Sequence, residues 1–160
     1  MTKFATSPPA TIGSMPYPEY LVAPMRQELI DLGVKELRSA EAVDNAVANT
    51  PGTLMIIVNS VCGCAAGKAR PGAALALRNA VKPDAVASVF AGFDVEATAR
   101  ARSYFTGYLP SSPSMALLRD GKIVFLLERS QIENRDALGV ASQLTAAFEE
   151  FCARASTPQS

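Results

Sequence analysis

Hydrophobic and polar positions along this 160-residue chain fall into two kinds of pattern, and the change from one to the other marks the elements. Thr53 to Ser60 (TLMIIVNS) is largely apolar, without a polar face, and predicts a strand buried on both sides. Ala85 to Ala91 predicts a second buried strand. Between them, the Ala-rich stretch from Cys62 to Val81 places Ala66, Ala69, Ala73, Ala76, Leu77 and Ala80 at helical spacing and predicts one helix. Upstream, Glu19 to about Leu32 reads as a helix whose start is limited by Pro24 and whose end is set by Gly33. VKELR (34–38) reads as a short edge strand, and Ser39 caps a helix running to about Asn49. Downstream, VEATARARSYF (95–105) predicts a helix. SMALLRDGKIVFLLER (114–129) predicts two strands joined through Asp120-Gly121, a strong two-residue hairpin signal. The last helix starts near an Asn134 cap and carries Ala137, Ala141, Leu144, Phe148 and Cys152 on one face.

The ordered core therefore runs strand, helix, strand, helix, strand, strand, helix. A right-handed crossover makes the first two of these strands parallel, and the hairpin adds an antiparallel pair at the edge. The expected fold class is α/β, a central mixed β-sheet flanked by helices with an extra N-terminal helix. That order is the order of a thioredoxin-like core. Residues 17–153 are expected to form this one domain. The Pro-, Ser- and Thr-rich opening, residues 1–16, reads as a flexible arm, and residues 154–160 as a flexible tail.

Charge narrows the partners. Lys plus Arg is 15 and Asp plus Glu is 15, so neither nucleic acid nor a membrane surface is expected as a partner. No apolar run approaches the ~20 residues that cross a bilayer, and the first residues lack a secretory apolar stretch. The chain reads as cytoplasmic. In a reducing compartment, close cysteines point to catalysis, redox sensing or metal binding.

Cys62 and Cys64, separated by Gly63, lie where the first buried strand enters its helix. In a thioredoxin-like core the reactive cysteines sit at that junction. Backbone N–H groups and the positive end of the helix dipole stabilise a thiolate, the nucleophile of disulfide exchange. Lys68 and Arg70 are either further positive charge near that thiolate or an ordinary solvated helix face. Pro71 cannot donate to the carbonyl of Gly67 and is expected to kink the helix. Cys152 reads as buried and inert on its apolar stripe. The chain has no histidine, so a tetrahedral zinc site would need Cys152 plus a carboxylate or a second chain. A non-catalytic redox sensor or thiolate metal-binding module is the alternative from a different class.

Four stretches, NSVCGCAAGKARPG, SSPSMALLRDGK, ERSQIE and PMRQEL, resemble the bacilliredoxins, and the similarity runs from about Tyr17 to Phe151. The resemblance implies a thioredoxin-like fold and thiol-disulfide chemistry at Cys62 and Cys64; Cys62, the first of the pair, nearer the helix end and expected to be the more exposed, is read as the attacking nucleophile. It implies removal of a low-molecular-weight thiol, bacillithiol, from S-thiolated or oxidised client proteins, with weak disulfide isomerase activity. No bound cofactor is implied; the thiol is a co-substrate. Thioredoxin-like proteins also imply a cis peptide at Pro113, beside the cysteines. Two positions depart from the family's pattern: Ser130 stands where a histidine is common, and Asn134 where a glycine is common. A proton-transfer role for that histidine does not carry over.

The one-residue spacing has a physical consequence of its own. Two residues span at most ~7 Å, and a disulfide requires Cα atoms ~4.4 to 6.8 Å apart, so closure demands a tight bend. Gly63 removes the Cβ that would resist it. A bond so constrained is more readily reduced. Inserting one residue after Gly63 is expected to relax the disulfide and lower its reduction potential, with ~30 mV corresponding to ~1.4 kcal/mol. Equilibration against a reference dithiol measures the difference; an unchanged potential would mean the native bond is unstrained.

Overall fold

The computed structural model describes residues 17–153; the expected arm and tail lie outside the described residues. In chain order the elements are α1 (Glu19–Ile30), β1 (Lys35–Glu36), α2 (Ala40–Asn49), β2 (Thr53–Asn59), a π-helical turn (Ala65–Ala69) running into α3 (Arg70–Ala76), β3 (Ala85–Phe90), α4 (Val95–Ser103), β4 (Ser114–Arg119), β5 (Lys122–Leu127), α5 (Arg129–Glu133) and α6 (Ala137–Phe151). The strands form one mixed sheet in the order β1-β3-β2-β4-β5. β3 is parallel to both β1 and β2, while β4 runs antiparallel to β2 and β5 antiparallel to β4. This is the thioredoxin-like arrangement, carrying an extra helix at the N-terminal side. Among the described residues no helix is long and apolar enough to cross a membrane.

All seven residues of β2 are buried because the sheet is covered on both faces. Leu54, Ile56 and Val58 face a cluster with Val43 of α2 and Ala97 and Ala101 of α4. Met55 and Ile57 face the opposite cluster, built by Leu29 of α1, Ala69, Ala73, and Leu144 and Phe148 of α6. At the hairpin Asp120 and Gly121 both have positive φ, 51° and 81°, as a type I′ turn requires.

Four details differ from expectation. Pro24 lies inside α1 and does not set its start; the backbone bond it forfeits falls at Tyr20, which is exposed. The Ala-rich helix ends at Ala76, not Val81, and Pro83 ahead disfavours helical backbone at Lys82. Its buried face carries Ala65, Ala69, Ala73 and Ala76, with Ala66 and Ala80 exposed. The π turn takes up an extra residue, which swings Ala65 inward in place of Ala66. Finally, Asn134 ends the unforeseen helix α5, and the N-cap of α6 is Asp136, whose side chain accepts from Gly139 N at 2.8 Å.

Helix α1 is fastened through charge. Arg26, 6% exposed, donates to Glu36 of β1 and to Asp94 ahead of α4, both at 2.9 Å, and its guanidinium lies over Phe93. Helices α3 and α6 approach closely at Gly72, where an added Cβ would fall 2.5 Å from Val140 Cγ1 and 3.2 Å from the Ala137 carbonyl. Gly72→Ala is therefore expected to destabilise the fold by about 1–3 kcal/mol through overpacking. Denaturant unfolding checks it, with Val140→Ala expected to recover part of the loss in the double variant.

Candidate active site

Chain direction and register bring the site together. β2 ends at Asn59 and passes through Ser60 and Val61 to Cys62, whose carbonyl accepts from Ala65 N at 3.1 Å and Ala66 N at 3.2 Å. Cys62 thus opens the helical segment, and both cysteines are half-buried free thiols. Val58 pairs with Ser114 across β2 and β4, so Pro113 arrives at the same end of the sheet. The Ser112-Pro113 peptide is cis.

The Cys62 sulfur sits among donors. Burial opposes its ionisation, but the Ser60 hydroxyl, the backbone N–H groups of Ala65 and Cys64 and the charge of Arg129 outweigh it, so its pKa falls below that of an ordinary thiol. Magnitudes show why several donors are needed. A helix terminus is worth about 0.3–1 kcal/mol at an exposed site, less than the ~1.4 kcal/mol of one pKa unit. The Ser60 hydroxyl contributes most against the burial penalty, the two backbone N–H groups follow, and Arg129 adds the least.

Arg129 is the cation that the pattern of the sequence did not single out. It opens α5, donates from Nη1 to the Ser112 carbonyl at 3.0 Å and from Nε to Glu133 Oε1 at 3.4 Å. Its charge acts on both Cys62 and Cys64. Glu133 in turn lies against the second cysteine, with Cys64 Sγ 3.9 Å from Glu133 Oε1. One signal was available: Glu128 and Gln131 make a reciprocal capping box, and ERSQIE spells it.

Lys68 and Arg70 are not the charges that face Cys62. Lys68 Nζ donates to the Glu133 carbonyl at 2.6 Å, holding α5 against the helix. Arg70 is 3% exposed, which rules out a solvated face. It donates to Glu28 Oε1 at 2.8 Å, Asn59 Oδ1 at 2.9 Å and the Ser60 carbonyl at 2.9 Å. Arg70 therefore supports the turn from beneath, and Lys68 ties α5 to it. Gly63 is exposed, with open space where a Cβ would stand. Upstream of Pro71 the chain widens, Arg70 N reaching back five residues to the Ala65 carbonyl.

Cys152 belongs to the other end of the molecule. It is half-buried at the end of α6, beside the Thr53 hydroxyl where β2 begins. Burial pushes its thiol pKa up, Asp84 adds to that, and Thr53 and Arg119 only partly offset it. At about 3.3 Å per residue, seven strand residues separate it from the Cys62 end by roughly 20 Å. Among the described residues no three His, Cys, Asp or Glu side chains group as a metal site would need.

Comparison with known proteins shows the family. The family described as Disulphide isomerase matches residues 17–152. A bacilliredoxin of Koribacter versatilis is 56% identical over 136 residues, covering 85% of this chain and 94% of its own length. Another, from Bacillus licheniformis, is 51% identical over 143 residues, covering 87% and 99%. Among solved structures, a thioredoxin of Malassezia sympodialis aligns with a TM-score of 0.49 and 16% identity, over 75% of this chain and 91% of that one.

The lowered pKa of Cys62 predicts that its alkylation rate rises with pH through a midpoint below the ~8.5 of a free thiol. Removing a group that favours the thiolate moves the midpoint upward. Ser60→Ala and Arg129→Gln are each expected to do so, with Arg129→Gln losing its effect at high salt. A midpoint at the free-thiol value in the parent would refute the assignment.

Proposed function

The chain belongs to the disulphide isomerase family that includes the bacilliredoxins, and on that premise we propose that it is a thiol-disulfide oxidoreductase releasing a low-molecular-weight thiol from protein mixed disulfides. Bacillithiol is the thiol that the relatives' name points to. The observation that carries the reading is the Cys62 sulfur, whose thiolate form is favoured by Ser60, two backbone N–H groups and Arg129, with a second thiol one residue on.

The chemistry balances in two exchanges. The Cys62 thiolate attacks the bacillithiol sulfur of the mixed disulfide; that S–S bond breaks and the client leaves as a thiolate. Cys62 now carries bacillithiol. Cys64 then attacks Cys62 Sγ, the thiol leaves, and a Cys62–Cys64 disulfide remains for an external thiol to reduce. An external thiol attacking the adduct directly regenerates the enzyme without that disulfide. The same nucleophile acting on protein disulfides gives weak isomerase activity. Client proteins need only present an accessible mixed disulfide, and no bound cofactor takes part.

Intact-mass analysis after exposure to the disulfides of bacillithiol and glutathione tests the reading. One adduct on Cys62 is expected. Cys62→Ser should reduce transfer from an S-bacillithiolated client to background, Cys64→Ser should accumulate the adduct, and Cys152→Ala should leave rates unchanged. Co-purified metal with no adduct would overturn the proposal in favour of a metal-binding module, and equal trapping by either single variant would overturn the division of roles.

A further inference from the structure

We propose that Glu133 is the catalytic base of the resolving exchange, taking the proton from Cys64 as its sulfur attacks Cys62; this rests on Cys62 and Cys64 acting as attacker and resolver. A thiol must lose its proton to attack, and an ordinary one is only a few per cent thiolate near pH 7. The chain has no histidine to receive that proton. Among the described residues, the side-chain oxygen in contact with Cys64 Sγ is Glu133 Oε1, at 3.9 Å.

The carboxylate is held there from three directions. Ile132, its neighbour, is fully buried, and the capping box of Glu128 and Gln131 fixes the start of α5. Lys68 Nζ grips the Glu133 carbonyl at 2.6 Å. Arg129 Nε takes the same oxygen that faces Cys64, at 3.4 Å, while its Nη1 is committed to the Ser112 carbonyl. Those contacts suit a group that must meet one sulfur and leave the other alone.

Charge bookkeeping supports the step. Once Cys62 carries the low-molecular-weight thiol it is neutral, and Arg129 has Glu133 as its remaining anionic neighbour. The Cys64 proton passes to Glu133 Oε1 as the Cys64–Cys62 bond forms. The bond from Cys62 to the bound thiol breaks, and its electron pair leaves on that thiol. One negative charge has moved from Glu133 to the departing sulfur, which leaves from Cys62, the residue on which the Arg129 charge acts. The net charge of the site is unchanged across the step, so no uncompensated ion is created at a half-buried centre.

The test uses 5,5′-dithiobis(2-nitrobenzoate) in stopped flow, on full-length protein carrying Cys152→Ala. Attack by Cys62 releases one thionitrobenzoate, and resolution by Cys64 releases a second; Cys64→Ser should retain only the first. Glu133→Gln is expected to leave the first phase no slower and to slow the second about a hundredfold. The intact first phase reports that the variant is folded. In Glu133→Ala, acetate should restore the second phase where chloride at equal ionic strength does not, and Glu133→Asp should lose less than Glu133→Gln. A second phase at the parent rate in Glu133→Gln, or a loss that acetate restores no better than chloride, would overturn the proposal. Both phases in a parent that strips no bacillithiol from a client would instead overturn the proposed function and leave the role of Glu133 standing.

Discussion

A buried guanidinium is the constraint on which the redox turn depends. Arg70 is enclosed where α1, the end of β2 and α3 meet, and it satisfies its charge with one carboxylate, one amide oxygen and one backbone carbonyl. Glu28 is half-exposed, so water screens its share. The bonds to Asn59 and Ser60 are the ones that hold the structure, since a buried polar atom stripped of its partner costs about 1–3 kcal/mol. The same Asn59 Oδ1 also accepts from Ser60 N, and Asn59 Nδ2 donates to the Met25 carbonyl, which ties the strand end to α1. Ser60, fixed in turn, receives the Cys62 N–H on its hydroxyl at 3.2 Å. Lysine could not hold these positions, because only the planar fork reaches acceptors on two elements at once.

From that base the two sulfurs acquire different surroundings although they are one residue apart. Cys62 meets hydroxyl and backbone donors, and Cys64 meets a carboxylate. Arg129 stands between the two environments and is also bonded to the loop ahead of Pro113. The carboxylate on the Cys64 side comes from α5, a single helical turn whose position is set by Ile132 in the core and by Lys68 reaching across. The strand-to-helix junction already favours Cys62 through Ser60 and the backbone N–H groups, and the neighbouring helix adds the carboxylate beside Cys64.

Much of this was legible in the sequence, and the division between what was and was not follows the range of the interactions. β2 declares itself because both its faces are buried, and the hairpin because Asp120 and Gly121 accept positive φ. The position of the cysteine pair follows from the same local patterning. Arg70 meets Glu28 across 42 residues of chain, and Arg129 acts on Cys62 from beyond β4 and β5. No periodicity encodes such contacts. The π turn was missed because it alters the helical period by one residue within a run of alanines, where every position looks equally able to be buried. The stretches that carry the family likeness are those that converge: PMRQEL supplies Met25, Arg26 and Glu28, and ERSQIE supplies Arg129 and Glu133.

The location of Cys152 has a consequence for how the molecule records its own history. Three cysteines can pair within one chain in three ways, and a disulfide tolerates Cα atoms no more than about 7 Å apart. With Cys152 beside Thr53 at the opposite end of β2, two of those pairings require the central strand to leave the sheet. Folded protein can therefore cycle through one covalent topology without scrambling. A bond to Cys152 would be the imprint of a past unfolding event, not of turnover, and the protein's covalent state distinguishes molecules that have worked from molecules that have been denatured.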